Sequence, residues 1–289
     1  MKNKFFKDTC IVMVSFKSYT KILTMTKRLD KSISVIIVEN SRDFKLKQII
    51  EKKYKNMKVI IPKHNKGIGF SINMAVKNTK KKYIVYMASD TNIRNSQLMK
   101  LLETANKTKK FGAITARIDN QDYKDLIINS KEKNDLTQVC FNNGSIMLMK
   151  KSLMKKVNYF DDKYFLYFEE SDYYKRCMDI NLPIYIHNKV IIKHEGGAAI
   201  EKELRGEYQK IRNWHYCWSK FYYYKKHYGY LTGLSKTIPN LIRATKSVIR
   251  GIFTLNFEKI LTHYVEIEGL FCSYFNIKSF YRIKNKKLL

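Results

Sequence analysis

A cluster of carboxylates interrupts a chain that is otherwise strongly basic. Five acids fall within residues 161–172, whereas the whole chain has 56 Lys and Arg residues against 25 Asp and Glu. They are Asp161, Asp162, Glu169, Glu170 and Asp172. The first two are typical of a turn. A carboxylate held in a fixed position can remove a proton from a hydroxyl group as a new bond forms, which is general-base catalysis. The segment is therefore a candidate catalytic site.

The later acids of this cluster also have a purely structural interpretation. If a helix begins near Glu169, then Glu169 and Glu170 lie in its first turn, where the helix dipole favours negative charge. Asp172 then faces Lys175 and Arg176 one turn further along and can pair with them. The residues of this segment leave both interpretations open.

Another acid, Asp90, closes an apolar segment at residues 83–89. A carboxylate is costly inside a core, but at the rim of a sheet it can hold a divalent cation such as Mg²⁺ or Mn²⁺. Aspartate is also a common helix cap, so this position alone does not define a metal site.

Elements able to position these acids alternate through the first 120 residues. Apolar segments rich in β-branched residues are typical of strands in a sheet covered on both faces. They lie at 10–16, 34–40, 58–62, 83–89 and 111–118. Helical spacing occurs between them, around 20–29, 44–54, 68–79 and 96–107. The alternation predicts parallel strands with helical crossovers, and hence a Rossmann-like α/β fold.

Sheets of this class bind ligands beyond the carboxyl ends of their strands. Three groups of residues are expected at those ends: Ser15, Phe16 and Lys17; Glu39, Asn40 and Ser41; Ser89, Asp90 and Thr91. The glycines at 67 and 69 form neither a dinucleotide fingerprint nor a P-loop, because the third glycine and the Gly-Lys-Ser/Thr sequence are missing. They are interpreted as a turn into the third helix.

The pattern changes after residue 120. Residues 138–154 alternate and then become helical, and residues 182–197 are predicted to form two short strands. From about residue 201 the chain is predicted to be helical.

Composition limits the classes of partner. A formal net charge of +31 attracts polyanions, so nucleic acid, an anionic membrane leaflet and phosphorylated small molecules all qualify. Hydrophobic residues make up 45% of the chain, which excludes a disordered protein.

Targeting signals and cysteine usage favour the cytoplasm. No apolar run reaches the roughly 18 residues that span a bilayer, and the apolar stretch near the start is typical of a strand and not of a signal peptide. The five cysteines are widely spaced and lack a Cys-x-x-Cys pair, so free thiols are expected instead of disulfides or a zinc site.

The order of four segments resembles a known family. They are "VIIVENSRD", "HNKGIGFSINMAV", "YIVYMASDTNI" and the stretch from "NNGSIMLMKK" through "FDDKYFLYFEESDYYKR" to "KHEGG". From about residue 9 to 230 the chain is similar to the family-two inverting glycosyltransferases, most nearly their rhamnosyltransferase-like group. The resemblance implies a GT-A fold over 1–200, with a nucleotide-binding half at 1–120 and an acceptor half at 121–200.

The resemblance also implies a nucleoside-diphosphate-sugar donor and a divalent cation, Mg²⁺ or Mn²⁺. Asp90 matches the last acid of the family's D-x-D metal element, and Ala88 stands where its first acid would be. His194 matches a histidine that reaches the metal or the diphosphate. The loss of the first acid implies weaker or partial metal dependence.

Further site residues follow from the same resemblance. Glu169 and Glu170 match a Glu-Asp pair whose second member is the catalytic base, so Glu170 is the candidate base, and Glu169 or Asp172 could substitute for it. Glu39 matches the acid that meets the nucleoside. Four polar residues are expected to line the donor pocket, together with one small residue beside the donor sugar: Ser15, Asn40, Asn65 and Ser89, with Gly144.

The C-terminal region, 201–289, is basic and aromatic. Residues 212–230 interleave aromatic rings with Lys, Arg and His, which suits a bilayer interface. This predicts a peripheral protein on the inner face of the cell membrane, with a glycan or lipid-linked glycan as acceptor. Alternatively, these aromatics belong to a core or to a homodimer face.

Two other classes of function are weighed against the enzyme. A nucleic-acid-binding protein would explain the charge, but no recognisable module is present and the acidic cluster would repel the ligand. A non-catalytic glycosyltransferase-like scaffold would explain Ala88 and the two glutamates that replace aspartates.

Overall fold

The computed structural model describes residues 2–119, 121–133, 135–194 and 205–282. The chain forms two compact units. The first unit comprises Met1–Lys66, Phe70–Phe160 and Glu170–Ile200. The second comprises Gly67–Gly69, Asp161–Glu169 and Glu201–Leu289, so it takes two short segments from the first 200 residues. The functional division into 1–120, 121–200 and 201–289 stays a prediction.

The first unit is built on a ten-stranded mixed sheet. Its strands are β1 (Thr9–Ser15), β2 (Ser34–Glu39), β3 (Met57–Ile60), β4 (Tyr83–Ala88), β5 (Thr91–Asn92), β6 (Ala113–Ile118), β7 (Ile127–Lys133), β8 (Leu136–Val139), β9 (Ile146–Lys150) and β10 (Ile184–His194). Nine of them follow the order β3-β2-β1-β4-β9-β6-β10-β8-β7, and β5 pairs with β10. The first four strands in that order are mutually parallel, as predicted.

One helix precedes these strands, and the other helices of the first unit lie in the connections between them. They are α1 (Lys2–Lys7), α2 (Tyr19–Arg28), α3 (Phe44–Lys53), α4 (Ile68–Lys77), α5 (Asn95–Lys107), α6 (Lys151–Lys156) and α7 (Glu169–Asp179), with a short 3₁₀ helix at Lys124–Leu126. The prediction of a helix beginning near Glu169 is confirmed. The central strands are apolar throughout because both faces are covered; Ile11, Val12 and Met13 of β1 are fully buried.

One strand differs from its prediction. Residues 184–194 form the single strand β10 in place of two short ones. Its pairing with β6 shifts between His187 and Ile191, so extra residues are accommodated as an irregularity within a continuous strand. Beyond the irregularity β10 continues to pair with β6, and its end also pairs with the two-residue strand β5.

The second unit contains three long helices, α8 (Arg205–Tyr228), α9 (Tyr230–Phe253) and α10 (Phe257–Tyr274). Trp214, Trp218 and Phe221 of α8 are buried, so part of the aromatic stretch at 212–230 belongs to a core, as one of the two interpretations held. Helices α8 and α10 approach closely, because a Cβ on Gly269 would lie 2.5 Å from the Trp214 carbonyl oxygen.

The described residues also test the predictions about the cysteines, the turn at Asp161 and membrane-spanning helices. All five cysteines are free thiols, and all are buried except Cys140. Asp161 forms a turn, since its Oδ1 accepts a hydrogen bond from the Lys163 amide at 3.0 Å. No helix in the described ranges is long and apolar enough to cross a bilayer.

Candidate active site

The carboxyl ends of β1, β2 and β4 bring the predicted donor-binding residues to one edge of the sheet. Ser15, the last residue of β1, is paired with Glu39, the last residue of β2. Val14 is paired with Ala88, the last residue of β4. The Asn40 amide also donates to the Ser15 carbonyl at 2.8 Å. The first and second groups of predicted residues are therefore adjacent, and the turn after β4 begins beside them.

Two buried serine hydroxyls of the first unit lack a hydrogen-bond partner among the described residues. The Oγ atoms of Ser15 and Ser145 have no hydrogen-bond partner within the described part of the chain. A buried hydroxyl without a partner is unfavourable, so such groups commonly mark a site that a ligand or an ordered water completes. Ser15 ends β1, and Ser145 immediately precedes β9.

Glu39 is buried, and its carboxylate organises the turn that follows β2. Oε1 accepts hydrogen bonds from the Ser41 amide at 3.0 Å and from the Ser41 hydroxyl. Oε2 accepts one from the Asp43 amide at 2.6 Å. Arg42, between these donors, has a φ of 61°, a left-handed conformation that the carboxylate contacts help to hold. Three protein donors thus engage this carboxylate, and its contact with a nucleoside stays a prediction.

Asn40 contacts Ser71, a residue that no sequence motif marks. Its side-chain amide donates to the Ser71 hydroxyl at 2.9 Å, which links the end of β2 to helix α4. Both residues are buried. Ser71 follows the two glycines of "GIGFS", and only its hydrogen bond with Asn40 reveals it. Asn65 is partly exposed in the loop that leads to α4.

Asp90 lies on a turn that joins β4 to β5. Both Ser89 and Asp90 are partly exposed there. The Ser145 carbonyl accepts hydrogen bonds on both sides of the turn, from the Ala88 amide at 2.8 Å and from the Thr91 hydroxyl at 2.9 Å. The turn is therefore fixed to the segment that precedes β9.

The backbone also brings His194 to this turn. In the pairing of β5 with β10, His194 is the partner of Thr91, the residue that follows Asp90. The side chain of His194 lies outside the described residues. The two predicted metal ligands are thus one position apart in register.

The donor atoms present fit a cation shared with a ligand. Within the described ranges, no group of three or more His, Cys, Asp or Glu residues could hold a metal ion. Mg²⁺ usually keeps several waters and takes one or two carboxylates together with substrate phosphates. A single carboxylate at Asp90 fits that coordination, and it does not fit a cage made of protein ligands alone.

Glu170, in the first turn of α7, lies against Gly144. A Cβ on Gly144 would be 3.5 Å from both Cβ and Cγ of Glu170. Gly144 is the neighbour of Ser145, whose carbonyl fixes the Asp90 turn. Two consecutive residues, Gly144 and Ser145, therefore contact Glu170 and the turn that carries Asp90, so both acids belong to the same region of the first unit.

The surroundings of Glu170 change its acidity. Burial raises the pKa of the Glu170 carboxyl above its ordinary value. The residue as a whole is half-buried. Tyr174, one turn along α7, is buried, and its pKa is raised well above the ordinary value by desolvation and, next, by Glu170. Among the described residues no group bonds to the Tyr174 hydroxyl.

The other acids of the cluster have different surroundings. Glu169 is buried at the start of α7. Asp172 is fully buried, and its Oδ2 accepts a hydrogen bond from Arg176 Nε at 2.8 Å, the pair that the helical interpretation predicted. Arg176 also donates to the Val157 carbonyl, which ties α7 to the end of α6. Lys175 pairs with Asp179. Asp172 thus has a structural partner, while substitution for the base by Glu169 or Asp172 stays a prediction.

Comparison with known proteins identifies the family. Residues 10–174 match glycosyl transferase family 2, which is more than half of the chain. The chain therefore belongs to glycosyl transferase family 2. A search of curated proteins gives no match.

Solved structures share the GT-A fold. The mannosyltransferase PcManGT from Pyrobaculum calidifontis, in complex with GDP-Man and Mn²⁺, has a TM-score of 0.59 and 11% identity over 93% of this chain and 87% of its own. GalNAc-T7 with UDP, GalNAc and Mn²⁺ has a TM-score of 0.55 and 9% identity over 81% of this chain and 57% of its own. S. aureus TarS 1-349 has a TM-score of 0.53 and 14% identity over 95% and 93%. The predicted fold, GT-A with a C-terminal helical region, is confirmed.

Proposed function

We propose that the protein is an inverting glycosyltransferase that moves a sugar from a nucleoside diphosphate to a lipid-linked or surface-polysaccharide acceptor. The observation that supports the proposal is that consecutive residues contact both regions: Ser145 bonds to the turn that carries Asp90, and Gly144 lies against Glu170. In a member of glycosyl transferase family 2, this arrangement supports a role for Asp90 on the diphosphate side and for Glu170 on the acceptor side.

Glu170 is the proposed base. The acceptor hydroxyl attacks the anomeric carbon on the face opposite the diphosphate, the bond to the diphosphate oxygen breaks, and the Glu170 carboxylate takes the hydroxyl proton. Its raised pKa makes it a stronger base than an ordinary carboxylate.

The donor is proposed to bind at the strand ends. Ser15 supports this with an unpartnered hydroxyl, and Glu39, Asn40 and Ser89 with their positions at the same edge. Asn65 and Gly144 complete the proposed pocket. Two structurally similar proteins were solved with GDP-Man or with UDP, which supports a nucleoside-diphosphate donor.

Mg²⁺ or Mn²⁺ is the proposed cofactor, held by Asp90 and His194. When bound, such an ion neutralises the charge that develops on the departing diphosphate. Both of those similar structures contain Mn²⁺.

The acceptor side of the proposal concerns the membrane. A lipid-linked acceptor lies on a bilayer, and a net charge of +31 favours the anionic inner leaflet. We therefore place the enzyme as a peripheral protein on the cytoplasmic face of the cell membrane, within the rhamnosyltransferase-like group. The alternative to membrane attachment is that the C-terminal helices form a homodimer contact.

Ala88 favours a second candidate, a non-catalytic glycosyltransferase-like scaffold, because one acid of the metal element is missing. The full chain should be screened for release of nucleoside diphosphate from UDP-, GDP- and dTDP-sugars with Mn²⁺, and for thermal stabilisation by each donor. Release that needs both Glu170 and Asp90 supports the enzyme. Donor binding without any turnover, with and without candidate acceptors, supports the scaffold.

A further inference from the structure

Helix α9 (Tyr230–Phe253) has three distinct faces. The first is made of small residues that are buried within the second unit: Gly233, Thr237, Ala244 and Gly251. A Cβ on Gly233 would lie 2.8 Å from the Phe221 ring, and one on Gly251 would lie 2.7 Å from the Ile260 side chain. These close contacts fix which side of α9 faces inward.

The second face is apolar and exposed to solvent. Six large side chains follow one another along the helix at intervals of seven, four, seven, three and one residues, which keeps them on one side. They are Leu231, Ile238, Ile242, Ile249, Ile252 and Phe253. We call these residues the α9 stripe. The buried residues lie elsewhere on the helix, so the stripe contributes little to the core of the unit.

The stripe ends in an apolar tip at the turn between α9 and α10. Phe253, Leu255 and Phe257 are 85%, 77% and 72% exposed. Large apolar side chains exposed to this extent in one short segment mark an interaction site. Trp214, Trp218 and Phe221 of the aromatic stretch at 212–230 are buried instead, so the tip offers the better surface.

The third face is basic. Helix α9 has four bases and no acid over its 24 residues: Lys236, Arg243, Lys246 and Arg250. At the α-helical repeat these bases lie between the stripe and the small residues, directly beside the stripe. Arg243 is half exposed and pairs with Glu266 of α10 at 2.5 Å. The bases therefore border the apolar residues along the length of the helix.

We propose that the α9 stripe and the apolar tip insert into the surface of an anionic bilayer while the neighbouring bases contact the lipid phosphates. Helices that lie in a bilayer interface have an apolar face immersed at the headgroup boundary and Lys or Arg beside it. The small buried face orients α9 so that both outward faces are presented together.

Charge decides between a bilayer and a second copy of the chain. A homodimer formed by two α9 faces would bring together bases without any acid on the same helix. Like charges at such a contact oppose association. In contrast, each base near an anionic bilayer raises the partition coefficient of the protein by about fivefold. The bilayer is therefore the occupant that fits both outward faces.

The test measures binding of the full-length protein to vesicles by co-sedimentation. Vesicles of mixed phosphatidylglycerol and phosphatidylcholine are compared with vesicles of phosphatidylcholine alone. The parent protein should bind the anionic vesicles at least about tenfold more strongly than the neutral ones. Equal binding to both would overturn the proposal.

Two variants separate the apolar and basic contributions. The triple change Phe253→Ser, Leu255→Ser and Phe257→Ser should lower the partition coefficient at least about tenfold, because the apolar groups no longer enter the bilayer. The double change Lys246→Gln and Arg250→Gln should lower it about thirtyfold. All five residues are exposed, so the fold should persist, as circular dichroism would check.

A matched control removes the same charge elsewhere. Lys52→Gln with Lys55→Gln changes two exposed lysines of the first unit and should alter binding less than about twofold. If the control loses as much binding as the α9 double variant, the attraction is a property of net charge and the proposal fails. It also fails if light scattering finds a parent dimer that the triple variant dissociates.

The proposal rests on the membrane attachment in the proposed function but not on sugar transfer. Vesicle binding needs no donor, metal or acceptor. Failure of vesicle binding would leave transfer to a soluble acceptor standing, and absence of transfer would leave vesicle binding standing.

Discussion

Gly144 and Glu170 are in side-chain contact range, since a Cβ at residue 144 would lie 3.5 Å from Cβ and Cγ of the glutamate. That distance is an ordinary van der Waals separation, so one added carbon fits there. Anything larger would press on the proposed base. The pair therefore offers a graded test of whether the position of Glu170 matters for transfer.

Substitutions at Gly144 should separate by size. Gly144→Ala should keep most of the transfer activity, whereas Gly144→Leu should lower kcat by about 10²-fold, because a displacement of the base by about 1 Å is enough for such a loss. Steady-state kinetics and a thermal unfolding curve for each variant would check this. Equal kcat for the two variants would show that Glu170 does not need this contact.

Removing the carboxylate of the proposed base, Glu170, should stop transfer and spare donor binding. Glu170→Gln keeps the shape of the side chain and should lower kcat by about 10² to 10⁴, with the donor dissociation constant unchanged. The same change at Glu169 is the comparison, because the two glutamates are neighbours at the start of α7. A larger loss in the Glu169 variant would assign the base to that residue instead.

The pH dependence follows from the raised pKa of Glu170. The base must be ionised, so transfer should fall as the pH is lowered, with an inflection above the ordinary range of a glutamate. Folding favours the protonated form of a group with a raised pKa, so its stabilising effect is lost as pH rises through the folded-state pKa. Glu170→Gln should accordingly unfold at the same or a higher temperature at neutral pH. An inflection near an ordinary glutamate pKa would contradict the assignment.

Asp90 should control the metal-dependent part of donor binding. Asp90→Ala should weaken donor binding in Mn²⁺ by more than about tenfold. Loss of a residue that merely supports a metal ligand already lowers metal affinity by about tenfold or more, and Asp90 is a proposed ligand itself. In the presence of a chelator, the variant and the parent should bind the donor equally. Calorimetry under both conditions measures the difference, and an equal loss with the chelator would point to a direct contact with the donor.

Two ion pairs of α7 should differ in their contribution to stability. Asp172→Ala removes the fully buried partner of Arg176 and should cost about 3 kcal/mol of unfolding free energy. Asp179→Ala removes the half-exposed partner of Lys175 and should cost less than about 1 kcal/mol. Urea unfolding measures both. A stable but inactive Asp172 variant would instead give this residue a part in catalysis.

Local sequence patterns were sufficient to predict the parallel half of the sheet and the residue at which α7 begins. The runs that form β1, β2 and β4 are apolar on both faces, which a local pattern records directly. The irregularity between His187 and Ile191 was not predictable, because it depends on pairing with distant strands.

The candidate site was predictable in its residue types and not in its contacts. The chain order placed Asp90 and Glu170 at expected element ends, but the approach of Gly144 to Glu170 joins residues far apart in the sequence. The engagement of Glu39 by its own turn depends on the left-handed Arg42, which nothing in the residue types marks. The aromatic stretch at 212–230 resembled a surface because periodicity does not reveal that Gly269 brings α10 against Trp214.

The double acceptor role of the Ser145 carbonyl bears on how readily the proposed donor could bind. By holding both the Ala88 amide and the Thr91 hydroxyl, it restricts the loop carrying Asp90 while the binding site is empty. The conformational entropy of this loop is therefore lost during folding. Less of it remains to be lost when the donor binds. A preorganised loop of this kind speeds productive encounters without adding any contact to the bound state.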